Sequence, residues 1–177
     1  MDPLSWRYGI DALGEGRSEA RVATQDECVA VAAALGIPAC HTLTAQFTLT
    51  PRARGRVRVA GTFAAKVTQD CVVTLEPVST SLDEEFEAEF RDPADMAIDE
   101  DHGNEGADHE HSALAIADEP EPIEAGHIDV GRVVYQALSA ALPPYPRADG
   151  VEFAWEDAAM KEAGGPFAAL AKLKKKD

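Results

Sequence analysis

Basic residues are scarce in this chain of 177 residues: 16 lysines and arginines stand against 32 aspartates and glutamates, a formal charge of -16. Such an excess of acid repels a polyanion at long range, which excludes non-specific duplex binding by the molecule as a whole and favours a basic partner. Aromatics are only 6% of the chain, so a core must rest on Val, Leu, Ala and six Phe. Apolar residues still reach 45%, enough for one domain with a real core rather than disorder throughout.

Cysteine is short as well. Cys28, Cys40 and Cys71 are odd in number and show no C-x-x-C spacing, which argues against a disulfide framework and a cysteine zinc site. Each reads more readily as a small buried hydrophobe than as a reactive thiol. No run approaches the roughly 18 consecutive apolar residues of a membrane span. The opening Met1-Asp2-Pro3-Leu4-Ser5-Trp6-Arg7 has no basic region followed by an apolar stretch; no signal peptide is expected, and the cytoplasm is the expected location. A Gly-rich phosphate loop, H-E-x-x-H and G-x-S-x-G are all missing. The abundant carboxylates sit mostly in a solvated run, where nothing tunes a pKa for general acid or base work. The expected mode of action is therefore binding, with no catalytic residue and no cofactor.

What is present has a readable order. Short extended pieces around Arg7 to Leu13 and Glu19 to Ala23 precede a helix. Thr24 and Glu27 have the spacing of a capping box; Cys28, Val31, Ala32 and Leu35 share one face, and Gly36 with Pro38 stops it. The period then changes to alternation. Leu43, Ala45, Phe47 and Leu49 form one strand, Pro51 to Gly55 a turn, and Val57 to Val67 a second strand. Cys71 to Leu75 reads as a third and Thr80 to Phe90 as a fourth, so an antiparallel meander with one polar face is expected. Near the end, Asp129 can cap a helix whose Val130, Val133, Val134, Ala137, Leu138, Ala141 and Leu142 keep helical spacing until Pro143-Pro144. Phe153 and Trp155 are available to dock on the core, and Gly164-Gly165-Pro166 introduces a short helical piece, Phe167 to Leu173.

Charge is unevenly distributed. Residues 83–124 hold 17 acids and a single base, Arg91. From Asp92 to about Ile116 there is too little apolar surface to offset the entropy of ordering, so an extended, disordered insert is expected. Within it Asp99, Glu100, Asp101, Asp108 and Glu110 are candidates for contact with a basic partner. His102, His109 and His111 lie among them, but histidines without a supporting shell hold a metal poorly, and no metal site is assigned. The bases gather elsewhere. Arg52, Arg54, Arg56 and Arg58 recur at every second position across a turn and the following strand. They form either a phosphate-binding patch or an ordinary solvated sheet face partnered by Glu85, Glu87 and Glu89. Lys172, Lys174, Lys175 and Lys176 add a basic tail that could contact RNA.

Several ordered stretches resemble the YceD family, bacterial and plastid proteins associated with accumulation of large-subunit ribosomal RNA. They are Val57-Arg58-Val59-Ala60-Gly61-Thr62-Phe63; Cys71-Val72-Val73-Thr74-Leu75-Glu76-Pro77-Val78; Phe86-Glu87-Ala88-Glu89-Phe90 before an acidic insert; Ile128-Asp129-Val130-Gly131-Arg132-Val133-Val134; Leu142-Pro143-Pro144-Tyr145-Pro146; and Pro166-Phe167-Ala168-Ala169-Leu170-Ala171-Lys172-Leu173. Many relatives carry a second cysteine three positions after the first and further cysteine near the later Pro-rich turn. Here those places hold Thr74 and the cysteine-free stretch Arg147 to Glu152, so a metal or redox role for paired cysteines does not carry over.

The expected architecture is α+β: a curved antiparallel sheet or partly closed barrel of four to six strands, packed by two main helices. It is read as a single domain over 1–177 with an acidic insert at 92–116 and a basic tail at 174–177. The resemblance implies a non-enzymatic factor for accumulation, processing or assembly of large-subunit ribosomal RNA. Its expected partners are that RNA or a pre-ribosome and a basic ribosomal or assembly protein, with no membrane. The alternative is an acidic adaptor or chaperone with no link to RNA; a metal-dependent hydrolase using His109 is a third reading.

Overall fold

The computed structural model of the chain describes residues 2–93 and 120–151. Most of the expected acidic insert, Phe153, Trp155 and the basic tail lie outside the described residues.

Within them the chain is α+β. Short strand β1 (Arg7–Gly9) is followed by a 3-10 turn, Ile10–Ala12, and then β2 (Arg17–Val22), α1 (Gln25–Leu35), β3 (Ala39–Pro51), β4 (Val57–Asp70) and β5 (Pro77–Arg91). After the undescribed stretch come β6 (Glu121–Pro122), β7 (His127–Asp129) and α2 (Val130–Ala141). The main sheet is open, in the order β2-β3-β4-β5-β6, and β1 pairs with β7 as a separate ribbon. Strands β2 to β5 form the antiparallel meander; only the two-residue β6 adds a parallel edge. Alternation sets which face is buried. Leu43, Ala45, Phe47 and Leu49 on β3, Val57, Val59, Phe63 and Val67 on β4, and Phe86 and Phe90 on β5 all turn to the core.

The helix on β3 begins as its spacing predicts. Thr24 Oγ1 accepts the Glu27 N–H at 3.2 Å, and Glu27 Oε2 accepts the Thr24 N–H at 2.7 Å. Glu27 Oε1 also accepts the indole N–H of buried Trp6 at 3.1 Å, tying the N-terminal segment to α1. Gly36 closes the helix in the left-handed region, φ +66°. Asp129 does more than cap α2. Its carboxylate accepts Ser5 Oγ at 2.5 Å, the Trp6 N–H at 2.8 Å and the Arg132 N–H at 3.4 Å. Asp129→Ala removes a helix cap and orphans a backbone donor, and is expected to lower stability by about 2–3 kcal/mol. Urea unfolding should show this as a lower midpoint at unchanged slope.

One expected strand is corrected. Cys71 to Leu75 is a turn, despite the β-branched run Val72-Val73-Thr74. Antiparallel β4 and β5 keep their register to Asp70↔Pro77, so the residues between must reverse the chain. The Leu75 N–H bonds back to Cys71 O at 2.9 Å, Cys71 N–H bonds to Glu76 O at 2.8 Å, and Leu75 takes φ +60°. Leu75 is consequently 76% exposed, against the burial a strand would have given it.

Candidate nucleic-acid interface

The β3–β4 connection carries the arginines. Pro51 ends β3, Val57 opens β4, and the Arg52 N–H donates to Arg56 O at 2.7 Å to close the turn. Arg54 and Gly55 both sit in the left-handed region, φ +61° and +65°. Glycine accepts that conformation freely; for arginine it costs about 1 kcal/mol.

The register separates the four guanidiniums into two pairs. Arg58 lies opposite Glu89 on β5. It reaches diagonally to Glu87 with two parallel bonds, Nε to Oε1 at 2.5 Å and Nη2 to Oε2 at 2.6 Å. That contact holds the Glu87 carboxyl below its ordinary pKa. Arg56 Nη1 reaches Glu89 Oε1 at 3.4 Å, and Arg91 reaches the same oxygen at 2.8 Å. The Glu89 carboxyl is likewise lowered, first by the Arg91 hydrogen bond and then by Arg56 against the opposing effect of burial. These pairs are largely solvent-exposed and each stabilises the sheet by roughly 0–1 kcal/mol. Arg52 and Arg54 are different. Both are exposed at the tip, and neither has a carboxylate within ion-pair distance among the described residues. Arg56 and Arg58 face the acidic strand, where Glu89 and Glu87 engage them, while Arg52 and Arg54 project from it. This end of the sheet gathers Arg52, Arg54, Arg56, Arg58 and Arg91 among the acids Glu87, Glu89, Asp92 and Glu121, a concentration of arginine on an acidic molecule.

Sequence reasoning missed a second basic cluster. Arg17 and Arg21 occupy core-side positions of edge strand β2, opposite Leu49 and Ala45. Charged residues at such positions discourage edge-to-edge pairing. The Arg21 guanidinium lies 6.0 Å from the Trp6 ring centroid and 5.9 Å from that of Tyr8, and Arg17 stands 5.9 Å from the Tyr8 ring. Arg17 is also paired with Glu19. The alternation Arg17-Glu19-Arg21 is visible in the sequence, but nothing in it places Trp6 and Tyr8 beneath the guanidiniums.

Cys71 has a distinctive setting. Its side chain is fully covered, yet the Thr74 hydroxyl and the N–H groups of Ala148, Thr74 and Val73 turn toward the sulfur and lower its pKa to about 6. The Ala148 N–H stands 3.5 Å from Sγ. Burial acts in the opposite sense and is outweighed. Cys40, by contrast, is pushed up to about 12, by burial and then by Cys28. Thiolate absorbance that disappears in Cys71→Ser should titrate with a midpoint at about 6; a midpoint near the ordinary ~8.5 would contradict the setting. Because the folded pKa is depressed, the linked stability is fully present above ~8.5 and is lost as pH falls through about 6.

The remaining candidates, Asp99, Glu100, Asp101, Asp108, Glu110, Lys172, Lys174, Lys175 and Lys176, lie outside the described residues, as do His102, His109 and His111. No group of His, Cys, Asp and Glu among the described residues has metal-holding geometry. None of the helices described is long and apolar enough to cross a membrane.

Compared with known proteins, residues 59–174 match the family model described as large ribosomal RNA subunit accumulation protein YceD, well over half of the chain. No curated protein and no solved structure matches it.

Proposed function

The chain belongs to the YceD family, and from that premise we propose that it is a non-enzymatic factor supporting accumulation of large-subunit ribosomal RNA by binding. The family match carries this reading, and the sheet end supplies a physical means. Arg52 and Arg54, exposed at the β3–β4 tip with no ion pair among the described residues, contact phosphate; Arg56, Arg58 and Arg91, held by Glu87 and Glu89, supply the supporting positive field. Keeping Arg54 in a conformation better suited to glycine is the kind of local strain found at working positions.

The acidic remainder of the molecule suits a basic ribosomal or assembly protein. On the outer face of β5, Asp83 and Glu85 are exposed with no ion pair among the described residues. The insert acids Asp99, Glu100, Asp101, Asp108 and Glu110 extend the same chemistry. Complementary charge of this kind steers association and makes it salt-sensitive. The working compartment in this reading is the cytoplasm. Deleting the gene is expected to lower large-subunit RNA relative to small-subunit RNA and to deplete large subunits in a sedimentation profile. Unchanged RNA and an unchanged profile would remove the basis of the proposal.

A further inference from the structure

At the far end of β4 from the arginine tip, a groove of about 540 Å³ opens between the C-terminal ends of the two helices. Leu35, Ile37, Tyr135, Leu142, Pro144 and Pro146 give it apolar walls, and a space of this size admits several side chains rather than a single ion. Apolar surface continues beside it. Val72, Leu75 and Tyr145 are 46%, 76% and 76% exposed, large hydrophobic side chains that the core does not use. They belong to one corner of the molecule. The Val72 N–H donates to Pro146 O at 2.9 Å, which ties the β4–β5 turn to the Pro-rich loop that lines the groove. Leu75 is kept in that turn at φ +60°, where glycine would be less strained. Exposed apolar surface gathered in this way and rimmed by polar residues marks an interaction site.

The same corner favours a cation. No lysine, arginine or histidine among the described residues lines the groove. Neither α1 nor α2 carries a basic residue in its last turn, so the negative ends of both helix dipoles meet there uncompensated. Asp70 also lines the groove, exposed and with no ion pair among the described residues. Gln69, 8% exposed, stands beside it. Its Nε2 donates to Pro143 O at 3.1 Å, while its buried Oε1 has no partner among the described residues. Negative charge and an open acceptor thus converge on an apolar groove, with no cation among the described residues to answer them.

We propose that this corner is the docking surface for a basic amphipathic segment of a partner protein. Aliphatic side chains of that segment seat against Leu75 and the groove walls, and a neighbouring lysine or arginine brings its charge to the two helix ends and Asp70. The inference rests on the proposed function only for the kind of partner, a basic ribosomal or assembly protein; the site itself follows from the groove. Along β4 it stands roughly 40 Å from Arg52 and Arg54 at strand rise. One molecule can therefore hold RNA at one end of the sheet and a basic protein at the other.

Backbone NMR of the full chain, titrated with a capped leucine-lysine-alanine-leucine peptide as the probe, tests this. Shifts should centre on residues 34–38, 69–76 and 135–146 and saturate at about millimolar peptide, as expected for a contact of so few side chains. Glutamine in place of the peptide's lysine should weaken binding about tenfold. Two variants of the chain should weaken it by about the same factor without lowering the urea midpoint: Ser139→Arg, which puts a cation in the last turn of α2, and Leu75→Gly, which removes an anchor and relaxes the turn. Arg52→Glu with Arg54→Glu should leave peptide affinity unchanged, so failure of this site and failure of the RNA reading are separable. No saturable shifts at these residues, equal affinity for the glutamine peptide, or unchanged affinity in both variants would overturn the proposal. So would the same shifts with spermidine, since a free cation would then suffice.

Discussion

Gly61→Val is expected to cost more than ~4 kcal/mol, a large part of the about 5–15 kcal/mol by which domains of this size are stable. Gly61 faces the core in the middle of β4, between Phe47 on β3 and Phe86 on β5. A Cβ there would lie 2.1 Å from Gln46 O and 2.6 Å from both Cα and Cβ of Phe47. Two of those atoms are backbone of a paired strand, so relief requires breaking the β3–β4 ladder rather than turning a side chain. The two phenyl rings meet across the glycine with centroids 6.3 Å apart, and a larger residue would also separate them. Ala64→Val, on the exposed outer face of the same strand, is the control and should change stability by less than ~0.5 kcal/mol. Near-ultraviolet circular dichroism and urea titration of the two proteins distinguish these outcomes.

The second large effect is functional. Arg52→Glu with Arg54→Glu is expected to abolish complementation of the gene deletion while leaving the fold intact, because neither side chain has an ion pair to lose among the described residues. Binding to single-stranded large-subunit RNA segments should weaken on the order of 100-fold at low salt. The slope of log affinity against log salt should also shrink by about 1.4, the contribution of two phosphate contacts. Arg54→Gly separates the roles of charge and backbone. It relieves the left-handed strain at φ +61° and should stabilise the turn by up to about 1 kcal/mol while weakening RNA contact. Full RNA affinity in the double reversal would relocate the contact, with Arg17 and Arg21 the next basic cluster to test.

The parts of this fold that a sequence announces are those set by neighbours along the chain. Thr24 and Glu27 formed their reciprocal cap, and Asp129 capped α2, because both depend on groups three residues away. Alternation along β3, β4 and β5 gave the buried face for the same reason. Features that depend on register were less legible. Val72-Val73-Thr74 has strand composition, yet pairing of Asp70 with Pro77 turned it into a reversal. The three-residue pairing of β1 with β7 joins segments more than a hundred positions apart and leaves no periodic trace. The site divides in the same way. The spacing of Arg52, Arg54, Arg56 and Arg58 was plain, but only the β4–β5 register shows which of them Glu87 and Glu89 engage. The aromatic bed under Arg21 needed the tertiary structure altogether.

In the proposed reading, an acidic protein meets large-subunit RNA through the arginine-bearing end of its sheet. Recovering the tagged full-length chain from cells at low and at high salt, and identifying the bound RNA, tests it most directly. Large-subunit RNA should be recovered at low salt and released at high salt, and the low-salt recovery should be lost when Arg52 and Arg54 are reversed to glutamate. A chain that brings down only ribosome-free proteins at low salt, or that retains the RNA equally well with both arginines reversed, would contradict it.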